Sequence, residues 1–357
     1  MDQVEILHDL KILVECESPT ENLAACNQVI NLASSISKRI HGDAGTIKEE
    51  NGRPVFWLGS QNPEVVLLAH LDTVWPIGSF SPLWRQEGER VSGPGIYDMK
   101  AGFIQALYAM KGLDFSRVAL IATSDEETGS ATSRALIERV SKEAKAVLVL
   151  ESAIDEKVKI GRKGTSMYRI TIHGRAAHAG LEPEKGSNAS IEIARIVGIL
   201  VGLENKSLAT SVVPTTMSSG TTTNTVPALA TLDVDCRSFT LAEMERVREV
   251  IYSLRPLNSE ARIEVSGGIN RPPLEKESTT RLFEKAKVVA ERIGITDLQA
   301  AIVGGASDGN FAGIHTEVLD GLGAVGDGAH ASHEHILASH LVPRTKLLHE
   351  LVKEILL

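Results

Sequence analysis

Hydrophobic and polar positions divide the chain into stretches of distinct texture. Helical periodicity over about residues 2–15 and 21–38 is followed by short continuous apolar runs, "PVFWL", "VVLLA", "VALIAT" and "AVLVL". Continuous apolar strands separated by helices such as that of "DMKAGFIQALYAMKGL" predict a sheet covered on both faces, the signature of an α/β domain.

Near residue 165 the pattern changes to alternation. "SMYRITIHG" sets Met167, Arg169, Thr171 and His173 on one side and Tyr168, Ile170 and Ile172 on the other, as a half-solvated strand does. A helix at about 187–203 follows, then strands in "ATSVVPTTMSSG" and "TVPALATLDVDCRSF". A helix opens on the capping box of Thr240 and Glu243, and "EARIEVSGG" is a last strand. This βαββαβ order predicts a ferredoxin-like sandwich. After Arg271 the α/β texture returns, with a helix from Ser278 to Gly294, the strand "QAAIV", and a final helix from about Leu337. Residues 165–271 are therefore expected to form a unit inserted into a discontinuous domain of residues 1–164 and 272–357.

Composition narrows the function. With 357 residues, 43% hydrophobic and 23% charged, the chain has room for two cores. A net charge of −9 without a run of Lys and Arg argues against nucleic acid and against an anionic membrane. The N-terminal segment reads as an amphipathic helix, not a targeting segment, and no apolar stretch reaches the roughly 18 to 20 residues that span a bilayer. A cytoplasmic location is the expectation. Three cysteines, Cys16, Cys26 and Cys236, lack the spacing of a disulfide framework or a thiolate metal site.

Candidate chemistry gathers where apolar segments stop. "VALIATSDEETGS" runs from an apolar strand into Asp125, Glu126 and Glu127, and "VVLLAHLDTV" supplies His70 and Asp72. Asp98 stands in the glycine-flanked "GPGIYDMKAG", and Glu151 follows "VLVL". Imidazole and carboxylate are the groups that Zn²⁺, Mn²⁺ or Co²⁺ would take, and ligands enough for two ions require one carboxylate to bridge them. A second imidazole must come from "GAHASHEHI", where His330, His333 and His335 all qualify.

Taken together, "HLDTV", "GPGIYDMKAG", "TSDEETGS", "LES", "GRAAHAG", "NTVPALATLDVDCR" and "GGASDGN" resemble, in order and spacing, the dizinc metallopeptidases that include glutamate carboxypeptidase, aminoacylases, acetylornithine deacetylase and succinyl-diaminopimelate desuccinylase. The resemblance implies a zinc-exopeptidase-like mixed sheet flanked by helices, with the inserted unit as a lid through which a homodimer forms. It implies that Asp98 bridges two zinc ions, that Glu127 and His330 complete one site, and that His70 and Glu151 complete the other. Asp72 resembles the carboxylate that orients the first histidine, and Glu126 the general base acting on a metal-bridging water. Asp125 has no counterpart role.

From the lid, His178 resembles a histidine that stabilises the oxyanion across the dimer, and Asn224 a substrate contact. Arg271 resembles an arginine that clamps a free α-carboxylate, a task suited to a planar guanidinium. The implied activity is hydrolysis of an amide next to an amino acid with a free carboxylate, on a small peptide or an N-acyl amino acid. "HAGLEPEKGSNA", "GPGIYDMKAG" and "DVDCR" favour the carboxypeptidases that release C-terminal glutamate, with an N-acyl-amino-acid deacylase as the alternative.

Overall fold

A computed structural model describes residues 1–357, which divide into two compact units. The first comprises residues 1–161, 274–303 and 307–357, and the second residues 162–273 and 304–306. The second unit is thus slightly wider than the segment 165–271 marked by the change of texture. Arg162 helps to explain the difference, because its guanidinium donates to the carbonyls of Gly305 and Ala306 at 3.1 and 3.4 Å.

In chain order the strands that matter are β1 (Thr46–Glu50), β2 (Arg53–Gly59), β3 (Val65–His70), β4 (Val118–Thr123) and β5 (Ala146–Val149) of the first unit. The second unit contributes β6 (Gly164–His173), β7 (Ser211–Ser219), β8 (Leu229–Ser238) and β9 (Arg262–Arg271), and the first resumes with β10 (Glu317–Leu319). The six-stranded sheet has the order β1-β2-β4-β3-β5-β10. Strands β4, β3, β5 and β10 run parallel, while β1 and β2 join antiparallel. It is a mixed sheet.

Every residue of β3, β4 and β5 is buried. Alternate residues feed different cores: Val65, Leu67 and Ala69 pack with the helices Gln3–Glu15, Ala101–Ala109 and Leu341–Leu356, whereas Val66 and Leu68 pack with Leu136, Ile137 and Phe311 on the opposite face. A strand buried on both faces needs no polar alternation, which is why these segments read as continuous apolar runs. Burying each Leu, Ile or Val is worth about 1.5–3 kcal/mol.

The second unit is a four-stranded antiparallel sheet in the order β7-β8-β6-β9. Tyr168, Ile170 and Ile172 of β6 point into a core shared with the helices Ala189–Val201 and Leu241–Ser253, and the alternate residues face outward. Only half of the capping box forms. Thr240 accepts from the Glu243 N–H at 3.3 Å, but the Glu243 carboxylate turns to Arg246 and Thr210.

Candidate metal centre

Parallel strands β3, β4 and β5 end on the same edge of the sheet, so whatever follows each of them is delivered to one place. His70 closes β3, the acids 125–127 follow β4, and Glu151 follows β5. Asp98 arrives differently. It sits in a tight helical turn, Ile96–Lys100, entered through Gly95 at φ 67°, and the Asp98–Met99 peptide is cis. A Cβ on Gly95 would lie 2.3 Å from Thr73 Cγ2, and one on Gly102 would lie 2.0 Å from the Leu150 carbonyl oxygen. These close approaches press the turn against the ends of β3 and β5.

The resulting geometry divides the two oxygens of one carboxylate between two histidines. Asp98 Oδ1 lies 3.3 Å from His70 Nε2, and Asp98 Oδ2 lies 3.3 Å from His330 Nε2. Glu151 Oε1 flanks His70 Nε2 at 3.6 Å, and Glu127 Oε2 flanks His330 Nε2 at 3.0 Å. His330 reaches in from a left-handed backbone conformation, φ 60°. His333 instead stands exposed near Asp327, and His335 turns its ring to the His333 carbonyl.

Asp72 organises this cluster from behind. Its Oδ1 is 3.4 Å from His70 Nδ1, while Oδ2 accepts from Thr20 Oγ1 at 2.7 Å and from the Glu127 N–H at 3.1 Å. Glu126 is buried in the short turn Glu126–Thr128 that carries Glu127. Asp125, for which no chemical role was expected, is a structural residue. Its Oδ2 accepts from Thr132 N, Thr132 Oγ1 and Ser133 N at 2.8, 2.6 and 3.3 Å, pinning the loop before the helix Arg134–Glu143.

Electrostatics argue that this donor set suits cations. Burial would lower the His70 imidazole, yet the carboxylates of Asp72, Asp98 and Glu151 hold it well above its ordinary value. The carboxylates of Asp98 and Glu127 push His330 up to about 10. Burial would raise Asp98, but the two histidines bring it down, whereas Glu127 is raised, mainly by burial. Without an ion, the raised histidines favour their protonated forms, which moderates the crowded negative charge of the cluster. His70 Nε2 is buried and makes no hydrogen bond. Neighbouring ligand atoms on a tetrahedral ion with bonds of about 2.0–2.2 Å stand about 3.3–3.6 Å apart; the separations at 3.3, 3.3 and 3.6 Å fall in that range, and the His330–Glu127 separation of 3.0 Å is shorter. The residues present therefore fit divalent ions on both sides of Asp98.

Two contributors escaped the sequence reading as functional residues. Glu334 is fully buried, and its carboxylate collects four donors: Trp75 Nε1 at 2.8 Å and the backbone N–H groups of Gly95, Tyr97 and Asp98 at 3.0, 2.9 and 3.1 Å. Burial pushes its pKa up to about 7 against the pull of those donors. It thereby holds the turn that carries Asp98. Lys159 is buried with its Nζ 3.9 Å from Glu151 Oε2. An acid beside histidines was visible in "HASHEHI", but nothing local marked Lys159.

The remaining candidates belong to the second unit. His178 is exposed, and its Nδ1 accepts from the Gly180 and Leu181 N–H groups at 3.1 Å each, so Nε2 is left to carry the proton as a donor. Its loop bridges to Thr225, and the Asn224 carbonyl accepts from Ala179 N–H at 2.9 Å, which puts His178 and Asn224 on adjoining loops. Arg271 is buried at the end of β9, in register with Thr165.

Comparison with known proteins agrees with this architecture. The model of peptidase family M20/M25/M40 matches residues 66–354. The chain belongs to that family. As an M20 protein it is a metallopeptidase, a hydrolase. Carboxypeptidase G2 of Pseudomonas sp. (strain RS-16) is 29% identical over 96% of this chain and 87% of its own length. A succinyl-diaminopimelate desuccinylase from Pelagibacter ubique is 24% identical over 86% of this chain and 87% of its own. Among solved structures, aminopeptidase PepT of Bacillus cereus shares the fold with a TM-score of 0.78, 20% identity and full coverage of both chains. YxeP of Bacillus subtilis, described as a dinuclear metal binding peptidase of the M20 family, has a TM-score of 0.67 at 14% identity over 99% of this chain and 98% of its own. No helix of the M20 chain is long and apolar enough to cross a membrane.

Proposed function

We propose that the protein is a dizinc carboxypeptidase that releases C-terminal glutamate or a similar residue from small peptides. The observation that carries the reading is the Asp98 carboxylate, whose two oxygens each face a different histidine at 3.3 Å. In this reading His70 and Glu151 would hold one ion, Glu127 and His330 would hold the other, and Asp98 would serve both. The name of the 29% identical relative, Carboxypeptidase G2, supports a carboxypeptidase.

Bound divalent ions would polarise the scissile carbonyl and acidify a water. Glu126, a carboxylate in the turn beside the ligands and not itself assigned as one, would accept a proton from the attacking water and return it to the departing amine. Asp72 keeps His70 oriented and, through the Glu127 N–H, fixes the turn on which Glu126 stands. His178 offers its Nε2–H to the developing oxyanion, Asn224 contacts substrate, and Arg271 holds the free carboxylate.

An N-acyl-amino-acid deacylase is the second reading, favoured by the desuccinylase relatives at lower identity. A homodimer through the second unit is part of the proposal. The helix Ala189–Val201 exposes an apolar stripe of Ile191, Ala194, Gly198 and Val201 next to the edge strand β7, whose Val213 and Met217 are also exposed. Sedimentation of wild type and Ile191→Glu tests it, and an unchanged monomer in both sinks the dimer.

The central test combines metal analysis with hydrolysis. Wild type should carry two divalent ions and cleave glutamate-terminated peptides in preference to acetyl and succinyl amino acids. A metal-free protein defeats the dinuclear reading, and preferred release of acetate or succinate defeats the carboxypeptidase.

A further inference from the structure

Beside the candidate metal centre the first unit alone forms a cavity of about 400 Å³. Glu127 is part of its wall, together with Pro19, Asn22, Val74, Pro76 and Ile77. Val74 and Ile77 are 38% and 58% exposed, two aliphatic side chains open to water next to a proposed metal ligand.

The loop that presents them is tied down along its length. Thr73 N–H donates to the Ser18 carbonyl at 2.8 Å, Thr20 N–H to the Thr73 carbonyl at 3.1 Å, and Gly78 N–H to Glu17 at 2.8 Å. Between these anchors Trp75 Nε1 donates to Glu334 at 2.8 Å. Exposure of Val74 and Ile77 is therefore a property of a held surface, as a preformed binding pocket requires.

Charge selects the occupant further. Glu21 and Glu127 are the ionisable members of the wall, and both are acidic. With Glu127 committed to an ion, a carboxylate entering this cavity would meet Glu21 and no guanidinium or ammonium to receive it. An aliphatic group would release water from Val74 and Ile77 at no such cost.

We infer that this cavity receives the acyl-side group of the substrate, and that the group is an uncharged aliphatic side chain or peptidyl segment, not a succinyl-like acid. The assignment rests on the carboxypeptidase reading, in which residues of the second unit hold the amine-side carboxylate and the acyl side falls to the first unit.

Acyl hydroxamates test it without turnover, because they carry an acyl side and a chelating group but no leaving amine. Calorimetry on the zinc-loaded protein would compare acetohydroxamate, 4-methylpentanohydroxamate and succinic monohydroxamate. The branched compound should bind at least about tenfold more tightly than acetohydroxamate, since each buried methylene is worth about fourfold. The succinic compound should gain nothing. Ile77→Asp, on an exposed loop, should erase the aliphatic gain, bringing the affinities for 4-methylpentanohydroxamate and acetohydroxamate to within about twofold of each other. Equal binding of the first two, tighter binding of the acid, a gain that survives in Ile77→Asp, or no binding at all each overturns the inference. Failure of the carboxypeptidase reading would show elsewhere, as absent hydrolysis of glutamate peptides by a protein that still ranks the hydroxamates in this order.

Discussion

The two sheets treat charge in opposite ways. On the open face of the four-stranded sheet, charged residues stand in water and pair: Arg169 donates twice to Asp233 at 2.7 and 2.9 Å, and His173 lies 3.3 Å from Glu264. At the edge of the six-stranded sheet, Asp72, Asp98, Glu127 and Glu151 crowd around His70 and His330, with Glu126 buried in the adjoining turn. Exposed pairs are worth little and cost little. A buried cluster with surplus negative charge is unfavourable until cations offset it. One arrangement is complete by itself, and the other calls for a ligand. Sensitivity to metal and to charge-removing substitutions should therefore be confined to the first unit.

The largest effect that would break this contrast is on turnover. Glu126→Gln should lower kcat by about 10²–10⁴, the usual contribution of a general base, with metal content unchanged. Glu264→Gln on the open sheet face should leave kcat within about twofold. Comparable losses in the two variants would mean that charge near the metal centre has no special role.

Removing metal comes next. Saturation at about 1,000 times Kd stabilises the binding form by about 4 kcal/mol, so chelation should raise amide exchange strongly in segments 95–98, 126–130 and 328–334. Strands β6 to β9 should exchange as before. Uniform acceleration across both units would erase the comparison. Glu334→Ala should weaken metal binding by about 10–100-fold, the common cost of losing a group that positions a ligand, and Glu334→Gln less, because its amide oxygen still accepts. Unaltered affinity in Glu334→Ala would show that the Asp98 turn holds itself.

Proton release sharpens the same point. The neighbouring carboxylates hold His70 well above its ordinary value and His330 at about 10, so both are protonated at pH 7 in the metal-free protein and must give up those protons to bind ions. Calorimetry in buffers of different ionisation enthalpy should find about two protons released near pH 7. For His330 the sign follows from a raised folded pKa: its contribution to metal-free stability is fully present below about 6.5 and is lost as pH rises through about 10. Release independent of pH between 7 and 11 would contradict this electrostatic account.

How much of this was legible in the sequence depended on whether a residue acts locally. Apolar runs that end in His70, Glu127 or Glu151 announce both a buried strand and an unusual terminus, because both facts lie within a few residues. Glu334 supports Asp98 from 236 positions away, and no local pattern joins them. His330, His333 and His335 are chemically alike, and the left-handed turn at His330 is what separates them in space. Strands Arg85–Glu87, Arg90–Ser92, Gly326–Asp327 and His335–Leu337 form a small sheet that was not anticipated, since two or three residues carry no period. Asp125 looked like its neighbours until its bonds to Thr132 and Ser133 were seen.

The smallest effect tests the quiet side of the contrast. Arg169 and Asp233 form a two-bond pair with side chains 62% and 33% exposed, and Asp233 also accepts from Thr216 Oγ1 at 2.5 Å. Arg169→Ala leaves Asp233 with water and the threonine, so no buried charge is stranded. The pair should be worth only about 0.2–1 kcal/mol and should weaken further in high salt. Urea denaturation followed by exchange in β6 and β8 would measure it. A loss of several kcal/mol would mean that this sheet face is covered in the working protein, and that charge there is as costly to unpair as it is around Asp98.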